Sequence, residues 1–235
     1  MNTSSRATLL AAVLCLAANL AHATQPPDTV KSDSSGNTAM GTNAQLDLTT
    51  GIYNTAAGYY ALYDNQTGSY NSAFGVAALF ENTGSDNTAV GAFALEINGT
   101  GAGNTAVGFE ALGSNSSGGD NTAVGQQALY SNTGGLFNVA IGQGALQANV
   151  SGSSNTAIGE TALMSATGGG NIAIGEKAGE LLGAGNDNVY ISNSGQASES
   201  GAIRIAIAFR PQRSFRVSTR RKSPAARSTS LPRVS

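Results

Sequence analysis

The residues able to perform acid–base, nucleophilic or metal chemistry are few in this chain. There is one histidine, His22, and one cysteine, Cys15, and both lie near the N-terminus. General acid–base catalysis needs carboxyl or imidazole groups held together at a substrate. The carboxylates that could form such a pair are spread over different repeats of the sequence: Glu110, Asp120, Glu160 and Glu176. With no Gly-x-Ser-x-Gly element either, the sequence predicts no enzyme, no catalytic residue and no cofactor.

Two short patterns resemble ligand or modification sites. Gly118-Gly119-Asp120 is similar to the turn of a calcium-binding β-roll, but that signature needs Gly-Gly-x-Gly-x-Asp in tandem, so no metal site is predicted. Four Asn-x-Ser/Thr patterns are interpreted as turn residues, not glycan sites. They are Asn65-Gln66-Thr67, Asn98-Gly99-Thr100, Asn115-Ser116-Ser117 and Asn149-Val150-Ser151.

Aromatic residues concentrate in the N-terminal part of the chain. The tyrosines there are Tyr53, Tyr59, Tyr60, Tyr63 and Tyr70. We interpret them as core packing or contacts between chains, with a ligand platform as the alternative. The residues that bind a ligand are unknown from the sequence.

The elements that must position these side chains are set by a repeated phrase, Asn-Thr-Ala-Val-Gly or a close variant. It begins ten times at a spacing of 16 or 17 residues, at Asn37, Asn54, Asn71, Asn87, Asn104, Asn121, Asn138, Asn155, Asn171 and Asn188. Two variable residues follow, then Ala-Leu, two more residues, an Asn and a Ser/Thr/Gly turn. Positions are counted here from the first Asn, so the apolar residue of the phrase is position 4 and the turn Asn is position 12. A fixed period indicates one small supersecondary unit stacked many times.

Two short strands per unit explain the repeat better than one helix. Each unit carries two or three glycines, and a glycine inside a helix costs about 1 kcal/mol. We expect the phrase and Ala-Leu to form the strands, and Asn and Gly to form corners with positive φ. Stacking at about 4.8 Å gives an all-β parallel β-solenoid over residues 37–205, a rod roughly 45 Å long. The position-4 Val/Ile, the Ala and the Leu ladders, which include Phe74, Val107 and Leu112, are expected to form the core. The Asn ladders are expected to hydrogen-bond along the rod.

The phrase Asn-Thr-Ala-Val/Ile-Gly, followed by Ala-Leu and an Asn-Gly turn, resembles the head repeats of trimeric autotransporter adhesins of the YadA type. It also resembles related bacterial and phage fibre proteins whose repeats precede a self-cleaving chaperone domain. The resemblance covers residues 36–205 and implies a left-handed β-roll that forms a homotrimer about the fibre axis. The period of 17 is longer than that of the shortest head repeats. The chain shows neither a coiled-coil stalk nor a C-terminal membrane barrel, so anchoring by this polypeptide is not expected.

The N-terminus has the pattern of a secretory signal peptide. Arg6 precedes an apolar stretch over 7–20, which is short for a bilayer span, and Ala21-His22-Ala23 forms a small-x-small cleavage site. We therefore predict a signal peptide over 1–23, with a membrane anchor as the alternative, and no membrane span in the mature chain. Cys15 would be removed, and residues 24–36 are predicted to be a linker.

Charge divides the chain into two parts. All 14 acidic residues lie between Asp28 and Glu199. Over residues 28–205 only Lys31, Lys177 and Arg204 oppose them, a balance of 3 − 14 = −11. Nucleic acid is therefore not expected as a partner of the repeats. Residues 206–235 form a basic tail with three open interpretations. It is a disordered tail, a segment that binds nucleic acid or an anionic surface, or the product of a frameshift. The frameshift is considered because permitted codons from Ser214 onward, read two nucleotides along, can encode a sequence that looks like the β-rich segment of the fibre relatives.

The sequence therefore leaves three classes of function. The first is a secreted, cell-surface or fibre adhesin head on the exterior of a bacterial outer membrane. Its partners would be two further copies of the chain and a host or surface protein or glycan. The second is a structural spacer or fibre shaft. The third is a glycan- or ice-binding solenoid that uses a Thr/Asn ladder, which Asn138-Val139 and Asn171-Ile172 interrupt.

Overall fold

The computed structural model describes residues 31–45 and 47–206. The predicted signal peptide, residues 24–30 of the predicted linker and the tail from residue 207 lie outside the described residues. Within the described ranges the secondary structure is all β, without a helix. The last linker residues are not featureless, because they form a two-residue strand and a turn.

Short strands recur once per repeat in the described chain. They are β1 Lys31–Ser32, β2 Thr38–Met40, β3 Thr55–Ala57, β4 Ser72–Phe74, β5 Glu81–Asn82, β6 Thr88–Val90, β7 Ile97–Gly99, β8 Thr105–Val107, β9 Thr122–Val124, β10 Val139–Ile141, β11 Thr156–Ile158, β12 Ile172–Ile174, β13 Val189–Ile191 and β14 Ile203–Ile205. Most of them are positions 2 to 4 of the repeated phrase. The phrase therefore encodes a three-residue strand. Most of the rest of each coil is turn, although β5 and β7 are additional strands outside the phrase in two coils.

Successive coils stack in parallel and in register. Strands β2, β3, β4, β6 and β8 to β14 follow one another in one sheet. Between β8 and β9, Ala106 lies opposite Ala123 and Val107 lies opposite Val124, so identical residues stack. This confirms the predicted parallel β-solenoid of about ten coils with a spacing near 17 residues. Strand β1 pairs antiparallel with β2 and covers the first edge of the sheet. Strands β5 and β7 form a separate small sheet.

The core is built from small residues and leucine. The Ala of the phrase and the Ala-Leu pair are fully buried in the interior coils, as Ala106, Ala111 and Leu112 show. The prediction that the position-4 Val/Ile ladder belongs to the core is wrong. Positions 2 and 4 point away from the coil because alternate side chains of a strand leave on opposite faces. Phe74 and Val107 are therefore exposed.

Left-handed backbone conformations turn the chain, but only some of them fall on the predicted residues. Gly125, at position 5, has φ 131°, which confirms glycine as a corner residue. The second corner falls on the leucine of Ala-Leu, since Leu129 has φ 55°. Ala-Leu is thus part of a turn, and its prediction as a second strand is wrong. The prediction that Asn provides positive φ is also wrong, because the residue before the phrase does so, as at Asp120 with φ 55°.

Two ladders of buried asparagines run along the rod, which confirms the predicted amide ladders. In the position-1 ladder, Asn121 Nδ2 donates to Asn104 Oδ1 at 3.1 Å, and the Asn121 backbone N–H donates to the same oxygen at 3.0 Å. In the position-12 ladder, Asn132 Nδ2 donates to Asn115 Oδ1 at 2.7 Å. The Gly135 carbonyl accepts from both Asn121 and Asn132, so it joins the two ladders within one coil. These bonds satisfy most of the side-chain amides that the coils bury, with Asn149 Oδ1 as an exception among the described residues.

Candidate functional surfaces

The outer face of the long sheet carries an apolar ladder along the whole rod. We call it the position-4 ladder: Met40, Ala57, Phe74, Val90, Val107, Val124, Ile141, Ile158, Ile174, Ile191 and Ile205. From Val90 to Ile191 these side chains are 36–42% exposed. A second column at position 2 runs beside it and is mostly threonine. Exposed apolar surface of this extent is uncommon on a monomer, so this face is the first candidate interaction surface.

Sequence reasoning assigned the position-4 ladder to the core because apolar residues favour burial, and so did not locate it on the outer face. The signal that would have found it is the strand alternation itself. The small Ala at position 3 must face the narrow interior, and its two neighbours must then face outward.

The candidate carboxylates are brought together only in part: Glu160 and Glu176 occupy position 6 of successive coils, whereas Glu110 and Asp120 lie at other positions. Among residues 31–45 and 47–206, no group of three or more His, Cys, Asp or Glu side chains could hold a metal ion. The Gly118 carbonyl, in the pattern similar to a calcium turn, accepts hydrogen bonds from Asn104 and Asn115 and so belongs to the ladders. His22 and Cys15 lie outside the described residues.

The asparagines of the four glycosylation patterns are all fully buried members of the position-12 ladder: Asn65, Asn98, Asn115 and Asn149. Asn115 Nδ2 donates to Asn98 Oδ1 at 2.8 Å and to the Gly118 carbonyl at 2.8 Å. An amide in these bonds is inaccessible in the folded chain. Their interpretation as turn residues agrees with this geometry.

The early tyrosines separate onto two corners of the rod. Tyr53 and Tyr70 stack on each other, with ring centroids 5.2 Å apart, and both are more than half exposed. Their interpretation as core packing is therefore wrong. The second group lies where positions 6, 7 and 10 turn the chain, and it continues into later coils through phenylalanines. We call this group the aromatic corner: Tyr59, Tyr60, Tyr63, Phe80, Phe93 and Phe109.

Carboxylates lie beside the aromatic corner. Glu96 follows Phe80 one coil later at position 10, and Glu110 follows Phe93 at position 7. Partial burial, together with the neighbouring charges of Glu110 and Glu81, raises the pKa of Glu96. Residues 32–176 contain no Lys, Arg or His, so the sequence provides no base near these acids.

The two ends of the solenoid are closed differently. At the last coil Tyr190 replaces the small Ala of the phrase and is fully buried, and its hydroxyl donates to Glu199 Oε1 at 2.9 Å. Arg204 Nε donates to both carboxylate oxygens of Glu199, at 2.9 and 2.8 Å. These bonds, with that from Arg204 foremost, hold the pKa of Glu199 at about 2. Tyr190, Glu199 and Arg204 thus form a polar cap over the core.

At the first coil, Asp33 accepts hydrogen bonds from the backbone and side-chain nitrogens of Asn37 and so ends the position-1 ladder. The Asn37 side-chain bond is the main reason why the pKa of Asp33 is lowered. A cavity of about 300 Å³ opens beside it. Its lining residues are Ser32, Asp33, Asn37, Ala39, Ala44, Gln45 and Leu48. Gln45 Nε2 is buried there without a hydrogen-bond partner among the described residues.

The described ranges form no helix of the length and apolarity needed to cross a membrane. Fold and surfaces together define a repeat protein of the parallel β-solenoid class. No family model, curated protein or solved structure matches this chain. Its function has to be inferred from its own residues and geometry.

Proposed function

We propose that this chain is the head of a secreted, non-enzymatic adhesin that works as a homotrimer on the bacterial cell surface or on a fibre. The observation that carries the proposal is the position-4 ladder, which runs the length of the rod and is left in water by a single chain. Three copies packed along the fibre axis would cover these ladders. The resemblance of the repeats to trimeric adhesin heads supports the same arrangement.

The geometry suits a trimer because each coil adds the same outward contact. Neighbouring steps of the ladder lie about 4.8 Å apart. Aligned ladders from three chains therefore make continuous apolar contact over ten steps. Each buried side chain of this size contributes about 1.5–3 kcal/mol when it goes from fully exposed to fully buried. The half-exposed ladder would gain a fraction of this free energy per coil. Repeated along the rod, these gains add up to a stable contact between chains.

The oligomeric state is tested by the mass of the full chain in solution. We expect three chain masses by light scattering, and we expect the Val124→Asp variant to dissociate because a carboxylate would be buried in the apolar contact. Gln126→Asp is the matched control, since Gln126 lies exposed in the same coil. A wild-type monomer at micromolar concentration contradicts the trimer.

Adhesion would arise from a surface repeated in every coil, because many weak contacts linked on one rod multiply through effective concentration. The test uses beads coated with the full chain and cultured epithelial cells. Removing residues 121–154, two whole coils, should weaken bead attachment gradually while circular dichroism stays that of a β-protein. Complete loss of attachment with the fold intact would indicate one discrete site. No attachment above that of albumin-coated beads would reject the adhesin proposal and favour a structural spacer.

An ice- or glycan-binding role has one observation in its favour. The position-2 threonines, such as Thr105 and Thr122, stack directly on each other on the outer face of the sheet. Val139, Ile172 and Val189 interrupt this column. A measurement of thermal hysteresis tests the ice-binding role, and its absence at millimolar protein rejects that role.

A further inference from the structure

The aromatic corner is not required by the fold. The same positions 6, 7 and 10 hold Gln143, Gly144 and Gln147, without an aromatic ring, in the coil that begins at Asn138. The core and the two ladders of that coil are nevertheless buried like those of the aromatic coils. Since polar side chains serve equally well there, six aromatic rings in four consecutive coils need another explanation.

The rings of the aromatic corner hold one another in place in two groups, one of four rings and one of two. Tyr60 packs edge-on against Tyr59 and Tyr63, with centroids 4.2 and 4.9 Å apart, and Tyr63 stacks on Phe80 at 5.2 Å. Further along, Phe93 meets Phe109 edge to face at 5.9 Å. Such contacts restrict ring rotation, so little conformational entropy is lost when a ligand binds. Tyr59 and Phe109 are still 50% and 43% exposed, which leaves ring surface available.

The charges beside these rings indicate the kind of ligand. Glu96 and Glu110 stand one coil beyond Phe80 and Phe93 in the same columns, and Glu81 directly follows Phe80. A ring face attracts a cation held within about 6 Å of its centroid, and a carboxylate attracts the same cation. Phosphate- or sulfate-bearing partners would be repelled. A neutral sugar would stack on the rings but would leave the three carboxylates uncompensated.

We propose that the aromatic corner binds the cationic side chains of an arginine- or lysine-bearing polypeptide segment. Guanidinium groups fit best because they stack on rings and pair with carboxylates through two hydrogen bonds. From Tyr59 to Phe109 the corner spans three coil steps, roughly 14 Å, which an extended segment covers with about four or five residues. This site is discrete and confined to the first half of the rod. It is therefore separate from the repeated contacts of the adhesin proposal, and the deletion of residues 121–154 leaves it intact.

The test measures binding of fluorescein-labelled hexa-arginine to the full chain by fluorescence anisotropy at low salt. Two double variants test the site. Phe93→Gln with Phe109→Gln replaces two rings by a residue type that other coils hold at these positions, and Glu96→Gln with Glu110→Gln removes charge alone. We expect each to raise the Kd at least tenfold. The matched controls should change it less than twofold. They are Glu160→Gln with Glu176→Gln, which removes two charges in later coils, and Tyr53→Ser with Tyr70→Ser, which removes the ring pair on the other corner.

Each other outcome overturns the proposal. Equal weakening by the Glu160/Glu176 control would mean general attraction to an acidic rod. An unchanged Kd after loss of Phe93 and Phe109 would mean that the rings take no part. Binding of cellohexaose without binding of hexa-arginine would make the corner a sugar site. No change in anisotropy up to millimolar peptide would reject the site, provided circular dichroism shows every variant folded.

Discussion

Asn121 offers a direct test of whether the buried ladders hold the rod together. Its Nδ2 donates to Asn104 Oδ1 and to the Gly135 carbonyl, and its Oδ1 accepts from the backbone and side-chain nitrogens of Asn138 at 2.9 and 3.0 Å. Substitution with alanine deletes all four hydrogen bonds. The change tests the ladder in the middle of the rod, where coils above and below are regular.

The loss of stability depends on the hydrogen bonds that each former partner of Asn121 keeps. Asn104 Oδ1 still accepts the backbone N–H of residue 121, the Gly135 carbonyl still accepts from Asn132, and Asn138 Nδ2 still donates to the Gly152 carbonyl. The Asn138 backbone N–H loses the side-chain oxygen it donates to and is buried. Three lost bonds at about 0.5–1 kcal/mol each, plus about 1–3 kcal/mol for the orphaned N–H, give a loss of about 2.5–6 kcal/mol.

The assay is guanidinium unfolding followed by far-ultraviolet circular dichroism. Gln126→Ala is the control, because Gln126 is an exposed amide in the same coil without a side-chain hydrogen bond among the described residues. We expect the control to stay within about 0.5 kcal/mol of the wild type. If Asn121→Ala unfolds at the same denaturant concentration as Gln126→Ala, the ladder does not stabilise the rod and the reasoning is wrong.

Three further changes test other parts of the fold. Asn149→Ala should cost less stability than Asn132→Ala in the same assay, because Asn149 Oδ1 is buried without a partner in the described chain whereas Asn132 Oδ1 accepts from Asn149 Nδ2. Equal losses would contradict this. Gly125→Ala should destabilise the chain by well over 1 kcal/mol, since φ is 131° and a Cβ would lie 2.7 Å from the Gly142 carbonyl carbon. In the control Gly134→Ala, the added Cβ meets nothing nearer than 3.5 Å, so this change should be tolerated. Equal effects of the two substitutions would refute the strain at Gly125. The pKa of Glu199 is held at about 2, mainly by Arg204. Its ionised carboxylate therefore stabilises the fold at pH values above its unfolded pKa near 4.5, and this stabilisation is lost as the pH falls from 4.5 toward 2. A Glu199→Gln variant should therefore lose less stability than the wild type over this range, measured by thermal unfolding at several pH values, and parallel losses would contradict the role of the cap.

The candidate surfaces were only partly predictable from the sequence. The tyrosine cluster was visible as a local excess, and the lack of bases between Lys31 and Lys177 can be read from the chain directly. The aromatic corner was not visible as a unit. Its contacts between coils join residues far apart in sequence, such as Tyr63 with Phe80 and Phe93 with Phe109, and only stacking of the coils places these rings within 6 Å.

The period of the repeat by itself determined the architecture. Identical phrases every 16 or 17 residues can satisfy their backbone and bury their small residues only by stacking on each other, so the parallel solenoid and its asparagine ladders followed from spacing alone. The direction in which each side chain points was decided by the tertiary structure. The coil interior has room for alanine and leucine beside the buried amides, so Val107 and its equivalents face outward although their hydrophobicity suggested burial. Hydrophobicity indicates that a side chain avoids water. Only the geometry of the closed coil shows whether the side chain is buried inside its own chain or lies on a surface that another chain can cover.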